Sequence, residues 1–253
     1  MKRLKFIAML SALLLIPVLV YSQAQENFDP NSIKLDTSTP YFNSQAFQSG
    51  ITSAQNLGDL AKRYSPLHEK GDAFGFAAKS DEARFFMIGA IYTEALAYIR
   101  SEKWDLASQR LEYLEREFIN MGAPSPLYGL ITKTRNLVES EKYPPEYLVT
   151  VLSLFEPFFE EYAKTKSEDK LTLFRAGAWL VNMSLTAASG DRELLRQPAT
   201  MNYFTLEFKR MDAPKGVIEA LAEIDKVSQK TEIDDKDTQK VLQLVTQIEQ
   251  LLS

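Results

Sequence analysis

Cysteine is absent from this chain of 253 residues, histidine occurs once and tryptophan twice. Without cysteine there is no disulfide, no thiolate nucleophile, no zinc–thiolate site, no Cys-x-x-Cys-His haem attachment and no lipidated cysteine anchor. A chain of this length can bury enough apolar surface to hold together without such staples. The lone histidine, His68, lies in the loop-like stretch from Tyr64 to Asp72. One imidazole cannot build a His-rich metal site, and no Ser-His-Asp spacing can be argued from it, so it reads as a solvated loop residue. Glycine is sparse as well. There is no Gly-x-Gly-x-x-Gly and no P-loop, and Gly71 with Gly75 is too little for a phosphate cradle. No metal and no cofactor are expected. An enzyme is the least favoured class, although a pair of catalytic carboxylates would leave no signature.

The N-terminus has the layout of a secretory signal. Lys2, Arg3 and Lys5 form a positive head, Phe6 to Val20 is uncharged and apolar, and Ser22 and Ala24 are the small residues of a cut after Ala24. The apolar run is shorter than the roughly 20 residues a spanning helix needs, and Pro17 shortens it further. Residues 1–24 are therefore expected to be removed, leaving no membrane span. The formal net charge of −5 becomes −8 once Lys2, Arg3 and Lys5 are gone, since no acidic residue goes with them. Such a surface suits neither nucleic acid nor anionic lipid. Export without cysteine points to the bacterial periplasm or a secreted protein. Asn182-Met183-Ser184 matches the glycosylation triplet, but it falls inside a stretch expected to be a buried helix and reads as chance.

Residues 25–41 are polar, contain Pro30 and Pro40, and lack periodicity; they are expected to be a flexible leader. From 42 to 253 the apolar residues recur at three and four, which predicts one all-helical domain. Phe47, Ile51, Ala54, Leu57, Leu60 and Tyr64 form a first stripe, and residues 65–80 a loop. Asp81 is expected to cap a helix to about Ser101 that is apolar on most of its surface, and hence central in the core. Further helices follow from Trp104 to Phe118, from Leu127 to Val138, from Pro144-Pro145 with a kink at Pro157, from Leu171 to Ser189, from Pro214, and at the C-terminus. Residues 192–211 are two short pieces split at Pro198. Asp234-Asp235-Lys236-Asp237 lacks the spacing of a calcium loop and reads as a helix cap.

Ser101-Glu102-Lys103-Trp104 and Ser140-Glu141-Lys142-Tyr143 both stand between apolar-striped segments. A shift of 39 aligns Ile88, Ile91, Tyr92, Ala95, Tyr98 and Ile99 with Leu127, Leu130, Ile131, Thr134, Leu137 and Val138. A shift of 40 aligns Ala107, Leu111, Leu114 and Phe118 with Tyr147, Val151, Leu154 and Phe158. A third, fainter copy begins at Ala176, a further 49 residues on. Ala95, Tyr98, Trp104, Ala107 and Leu111 resemble the small, Tyr, aromatic, Ala and large-apolar positions of a tetratricopeptide repeat over about residues 81–165. Glu94 and Leu114 depart from its leucine and alanine positions, and the closing proline is absent. The resemblance implies stacked antiparallel helical hairpins, tetratricopeptide-like or an irregular α-solenoid, with a concave face.

On that face the resemblance places Tyr92, Leu96 and Arg100 beside Ile131, Arg135 and Glu139, as a groove for another exported protein or a peptide. The plain alternative is that Tyr92, Leu96 and Ile131 are core. A second function class is a carrier of a small apolar ligand, with Phe155, Phe158, Phe159, Trp179, Tyr203, Phe204 and Phe208 lining a cavity. Trp104 is expected to be buried between hairpins. Glu94, the charge inside the most apolar helix, requires a partner or a proton; Arg84, Arg100 and Arg175 are the candidates.

Overall fold

The computed structural model describes residues 80–189 and 192–252. The cut after Ala24, the leader at 25–41, the stripe from Phe47 to Tyr64 and His68 lie outside the described residues. The described chain is all-α, with no strand among its residues. It comprises α1 (Asp81–Arg100), α2 (Trp104–Asn120), α3 (Ser125–Glu139), α4 (Pro145–Ser153), α5 (Glu156–Lys166) and α6 (Glu168–Ser189). A short 3-10 turn (Glu193–Leu195) leads to α7 (Pro198–Arg210), α8 (Lys215–Ser228) and α9 (Asp235–Leu252).

The central helix is α1, buried continuously from Phe85 to Ile99. Its cap is Ser80 rather than Asp81: the Ser80 hydroxyl accepts the Ala83 N–H at 3.1 Å. Asp81 and Glu82 then occupy the first turn, where the helix dipole favours acid. The expected kink at Pro157 is a full break. Helix α4 ends at Ser153, Leu154 and Phe155 turn, and α5 restarts at Glu156. Pro157 thereby sits in a first turn, where its missing N–H leaves no hydrogen bond unmade. The acidic run before α9 is a cap: the Asp237 N–H donates to Asp234 Oδ1 at 2.9 Å, and the Asp234 N–H donates back to Asp237 Oδ2 at 3.2 Å.

The two Ser-Glu-Lys stretches are matched helix ends. Ser101 and Ser140 hydroxyls donate to the carbonyls of Tyr98 and Leu137, at 3.1 and 2.7 Å. Glu102 and Glu141 then take positive φ of 56° and 50°. A longer echo stands beside this one. Phe86-x-x-Gly89-Ala90 in α1 recurs as Phe174-x-x-Gly177-Ala178 in α6, and Phe118-x-x-Met121-x-Ala123-Pro124 recurs as Phe208-x-x-Met211-x-Ala213-Pro214. The two Met-x-Ala-Pro turns share one hydrogen-bond pattern: Ala123 donates to Phe118 O at 2.9 Å and Ala213 to Phe208 O at 3.0 Å, each across a residue of positive φ.

The packing follows the longer echo. In the first half α1 packs on α2 and α4, and α3 on α2 and α4; in the second α6 packs on α7 and α9, and α8 on α7 and α9. The third copy expected at Ala176 starts inside α6, whose partners α7 and α9 follow it along the chain in the same order as α2 and α4 follow α1. The halves join where α1 crosses α6. A Cβ on Gly89 would collide with the carbonyl of Phe174, and one on Gly177 with the carbonyl of Phe86. This reciprocal contact is that of a local two-fold axis between the helices, and only the absence of side chains lets the backbones approach so closely. Ala90, Ala97, Val181 and Leu185 continue the seam.

Candidate functional site

The six residues expected on a concave face are not brought to one open surface. Helix α3 packs on α2 and α4 rather than alongside α1. Tyr92, Leu96 and Ile131 are buried at 1%, 7% and 0% exposure. Tyr92 packs edge-on against Phe159, with ring centroids 5.6 Å apart. This corrects their reading as groove residues, because an amphipathic stripe that faces core and one that faces a partner have the same periodicity. Arg135 and Glu139 lie on the seam between α2 and α3, where Arg135 pairs with Glu115 at 3.2 Å and Glu139 accepts the Ser108 hydroxyl at 2.7 Å. Arg100 is half-buried at the end of α1.

The rings proposed to line a cavity lie in the core or against it. Trp179 stacks on Phe204 at 4.9 Å, Phe204 follows Phe208 at 6.0 Å, and Phe159 stacks on Phe118 at 5.0 Å. Trp104, expected in the core, is half-buried at the start of α2; Trp179 is the tryptophan fully enclosed.

Charge lies inside this core in two places. Glu94, 1% exposed, is paired by Arg110 Nε at 2.5 Å. Of the arginines expected from sequence, Arg84 pairs with Glu117 at 3.1 Å and Arg175 with Glu160. The α1–α2 hairpin sets this pairing, folding Arg110 back over the Tyr98 ring one turn beyond Glu94. Spacing along a single helix could not reveal it. The charge of Glu94 also reaches Glu249 near the end of α9.

Burial, reinforced by Glu94, pushes the Glu249 carboxyl up to about 8. The folded chain then holds a proton that the unfolded chain has already released by mildly acidic pH. Stability from this group is complete below the ordinary carboxylate range and is lost as pH rises toward about 8. Glu249→Gln, which copies the neutral carboxyl, should melt with the parent at about pH 5 and several degrees above it at about pH 9 in scanning calorimetry. Equal melting at the alkaline pH would refute a buried, protonated Glu249.

The second place is larger. Arg175, on α6, donates from Nε and Nη2 to the two oxygens of Glu160 at 2.8 and 3.0 Å, and both side chains are buried. One turn earlier on α5, Glu156 accepts the Tyr92 hydroxyl at 3.4 Å. Tyr203 of α7 adjoins Arg175. Five elements of the fold, from α1, α4, α5, α6 and α7, meet here. Burial and then the charge of Glu160 push the Glu156 carboxyl up to about 8, against the lowering effects of Tyr92 and Arg175. Burial and the neighbouring Glu156 drive the Tyr92 hydroxyl well above its usual range. The site can hold or release one proton next to a fixed ion pair. Its residues were not singled out from sequence, except Tyr92 as a groove residue, Tyr203 as a ring lining a carrier cavity and Arg175 as a partner for Glu94. The usable signal was Arg175 itself, a charge in the middle of an otherwise apolar helix.

Among the described residues no group of three or more His, Asp or Glu side chains is placed to hold a metal ion, and no helix is long and apolar enough to cross a membrane. Compared with protein-family models, curated proteins and solved structures, the chain matches none.

Proposed function

We propose that the protein is an exported adaptor, periplasmic or secreted, whose helical hairpins bind another exported protein or a peptide. The signal-like N-terminus supports export. The docking reading is carried by one face of α4. Tyr147 and Leu154 are seven residues apart and so lie on the same side over two turns. Leu154 is 60% exposed, and Tyr147 is half-buried and stacked on Tyr143 at 5.2 Å. Glu146, Thr150 and Ser153 around them are exposed and polar or charged. Aromatic and large aliphatic anchors with a polar surround are the composition of a protein-binding hot spot, and suit the apolar face of a peptide or helix. This face replaces the one built on Tyr92 and Ile131, which are enclosed.

A photo-crosslinking residue at position 154 in living cells should capture one discrete partner, while the same residue at the exposed Lys133 on α3 should not. Tyr147→Ser with Leu154→Ser should weaken that partner's binding at least about tenfold, or about 1.4 kcal/mol, with the melting temperature little changed. Identical adducts from positions 154 and 133, or full affinity in the double variant, would refute this face as the docking site.

A further inference from the structure

Two apolar surfaces of this chain match in interval. On α4, Leu154 is 60% exposed, and Tyr147 is half-buried seven residues earlier on the same side. Seven residues of helix set two side chains about 10 Å apart along the axis, so a helix with apolar residues seven apart fits alongside. The stripe from Phe47 to Tyr64 has that interval: Leu57 and Tyr64 are seven apart, with Leu60 between them on the same side. A helix of this length is marginal in water by itself, and Gly50 and Gly58 weaken it further, so it needs a surface to fold against. Left unburied, Phe47, Ile51, Leu57, Leu60 and Tyr64 would form one exposed apolar band.

Reach is not limiting. The α1 helix begins just after Ser80, and its Phe85 lies against Tyr162 of α5 with ring centroids 6.1 Å apart. Tyr162 follows Leu154 by eight residues, a separation of at most about 28 Å. Ser80 follows Tyr64 by sixteen residues, which span about 50 Å when extended. Charge fits as well. With the stripe antiparallel to α4, Tyr64 stands at Tyr147 and Leu57 at Leu154, and Lys62 and Arg63 come to the end of α4 where Glu146 is exposed. Being on the same chain, the stripe has an effective concentration on the order of millimolar, so that even a weak contact forms. A second copy or a separate protein has no such advantage. We propose that the chain's own residues 47–64 dock on the Tyr147–Leu154 face of α4 as a resident pseudo-ligand, which a partner displaces in order to bind. The docked stripe rests on spacing, reach and charge. Only its displacement by a partner rests on the adaptor reading.

A benzophenone photo-crosslinker at position 154 of the purified full-length chain, with no partner present, should give an adduct of monomer size whose cross-linked peptide falls within residues 47–64. The same crosslinker at the exposed Lys133 should give none there. Leu57→Ser with Leu60→Ser should lower the adduct from position 154 at least about fivefold. The chain has no cysteine, and Thr150 is exposed between the two anchors, so Thr150→Cys gives a second reading that leaves both anchors in place. Its alkylation should be at least about fivefold faster in the Leu57→Ser, Leu60→Ser background. An adduct that joins two copies, one that maps outside residues 47–64, or none at monomer size would overturn the docked stripe, as would equal alkylation rates in the two backgrounds. Partner capture at position 154 in cells, with no intramolecular adduct in the purified chain, would leave the adaptor reading standing and remove the docked stripe.

Discussion

Gly89→Ala should destabilise the protein by about 3 kcal/mol, the upper end of what an overpacked core costs. Two effects of opposite sign decide this. Alanine is the better helix former by about 1 kcal/mol, so the exchange would stabilise an unobstructed helix. At Gly89, however, the added Cβ would collide with the backbone carbonyl of Phe174 and come within 2.8 Å of its carbon. Backbone inside a helix cannot rotate away as a side-chain tip can, so α1 and α6 must separate along their whole seam. Gly177→Ala should behave alike, because its Cβ would meet the carbonyl of Phe86 and approach Ala90 N at 2.9 Å. Gly129 on α3 is the internal control: nothing lies within 4 Å of its added Cβ. Gly129→Ala should therefore stabilise by about 1 kcal/mol. Urea unfolding of the three variants would check this, and a loss under about 1 kcal/mol at both Gly89 and Gly177 would mean that the helices do not cross there.

Why the sequence could be read for helices and not for their partners follows from the same seam. The period of apolar residues reports which side of a helix is covered. It located α2, α3, α8 and α9 closely, and it marked α1 as central because nearly every position there is apolar. It says nothing about what does the covering. Tyr92 and Ile131 looked like groove residues because a stripe facing a partner and a stripe facing the core are the same stripe. The repeat shows the same limit. The shift of 39 matched α1 with α3, two helices that share an end structure at Ser101 and Ser140 and both pack on α2 and α4, although α1 is the one whose other side is covered by α6. The stronger echo lay in Gly89-Ala90 and Gly177-Ala178, and in the two Met-x-Ala-Pro turns. Those are small residues and turns, which carry little weight in a search for apolar periodicity. The charged sites were half legible. Glu94 drew attention as a charge in an apolar helix, yet its partner comes from across a hairpin. Glu156 and Glu160 stood in a charged-looking stretch and gave no sign that α6 would close over them.

Burial of an aromatic ring differs between the two tryptophans, and that difference gives the other large effect. Trp179→Ala should cost about 3–5 kcal/mol, as removal of a fully enclosed tryptophan does. Its indole is 0% exposed, stacks on Phe204 at 4.9 Å, and donates from Nε1 to Gln197 Oε1 at 2.9 Å. Gln197 is itself buried, and its amide is committed to the carbonyl of Leu194 at 2.8 Å. Truncation therefore leaves a cavity against Phe204 and a buried acceptor without a donor, and the second loss alone is worth about 1–3 kcal/mol. Trp179→Phe keeps a ring but not the donor, so it should cost about 1–3 kcal/mol and separate the two contributions. Trp104 sits half-buried against the edge of the core, and Trp104→Ala should cost about 1–2 kcal/mol. The two are the only tryptophans in the chain, so Trp104→Phe and Trp179→Phe each leave one fluorophore. The emission of Trp179 should be blue-shifted and resistant to acrylamide, and that of Trp104 redder and quenched. Denaturant midpoints with unchanged slopes would give the energies. A Trp104→Ala loss equal to or above that of Trp179→Ala would place the enclosed aromatic core in the first half of the chain instead of the second.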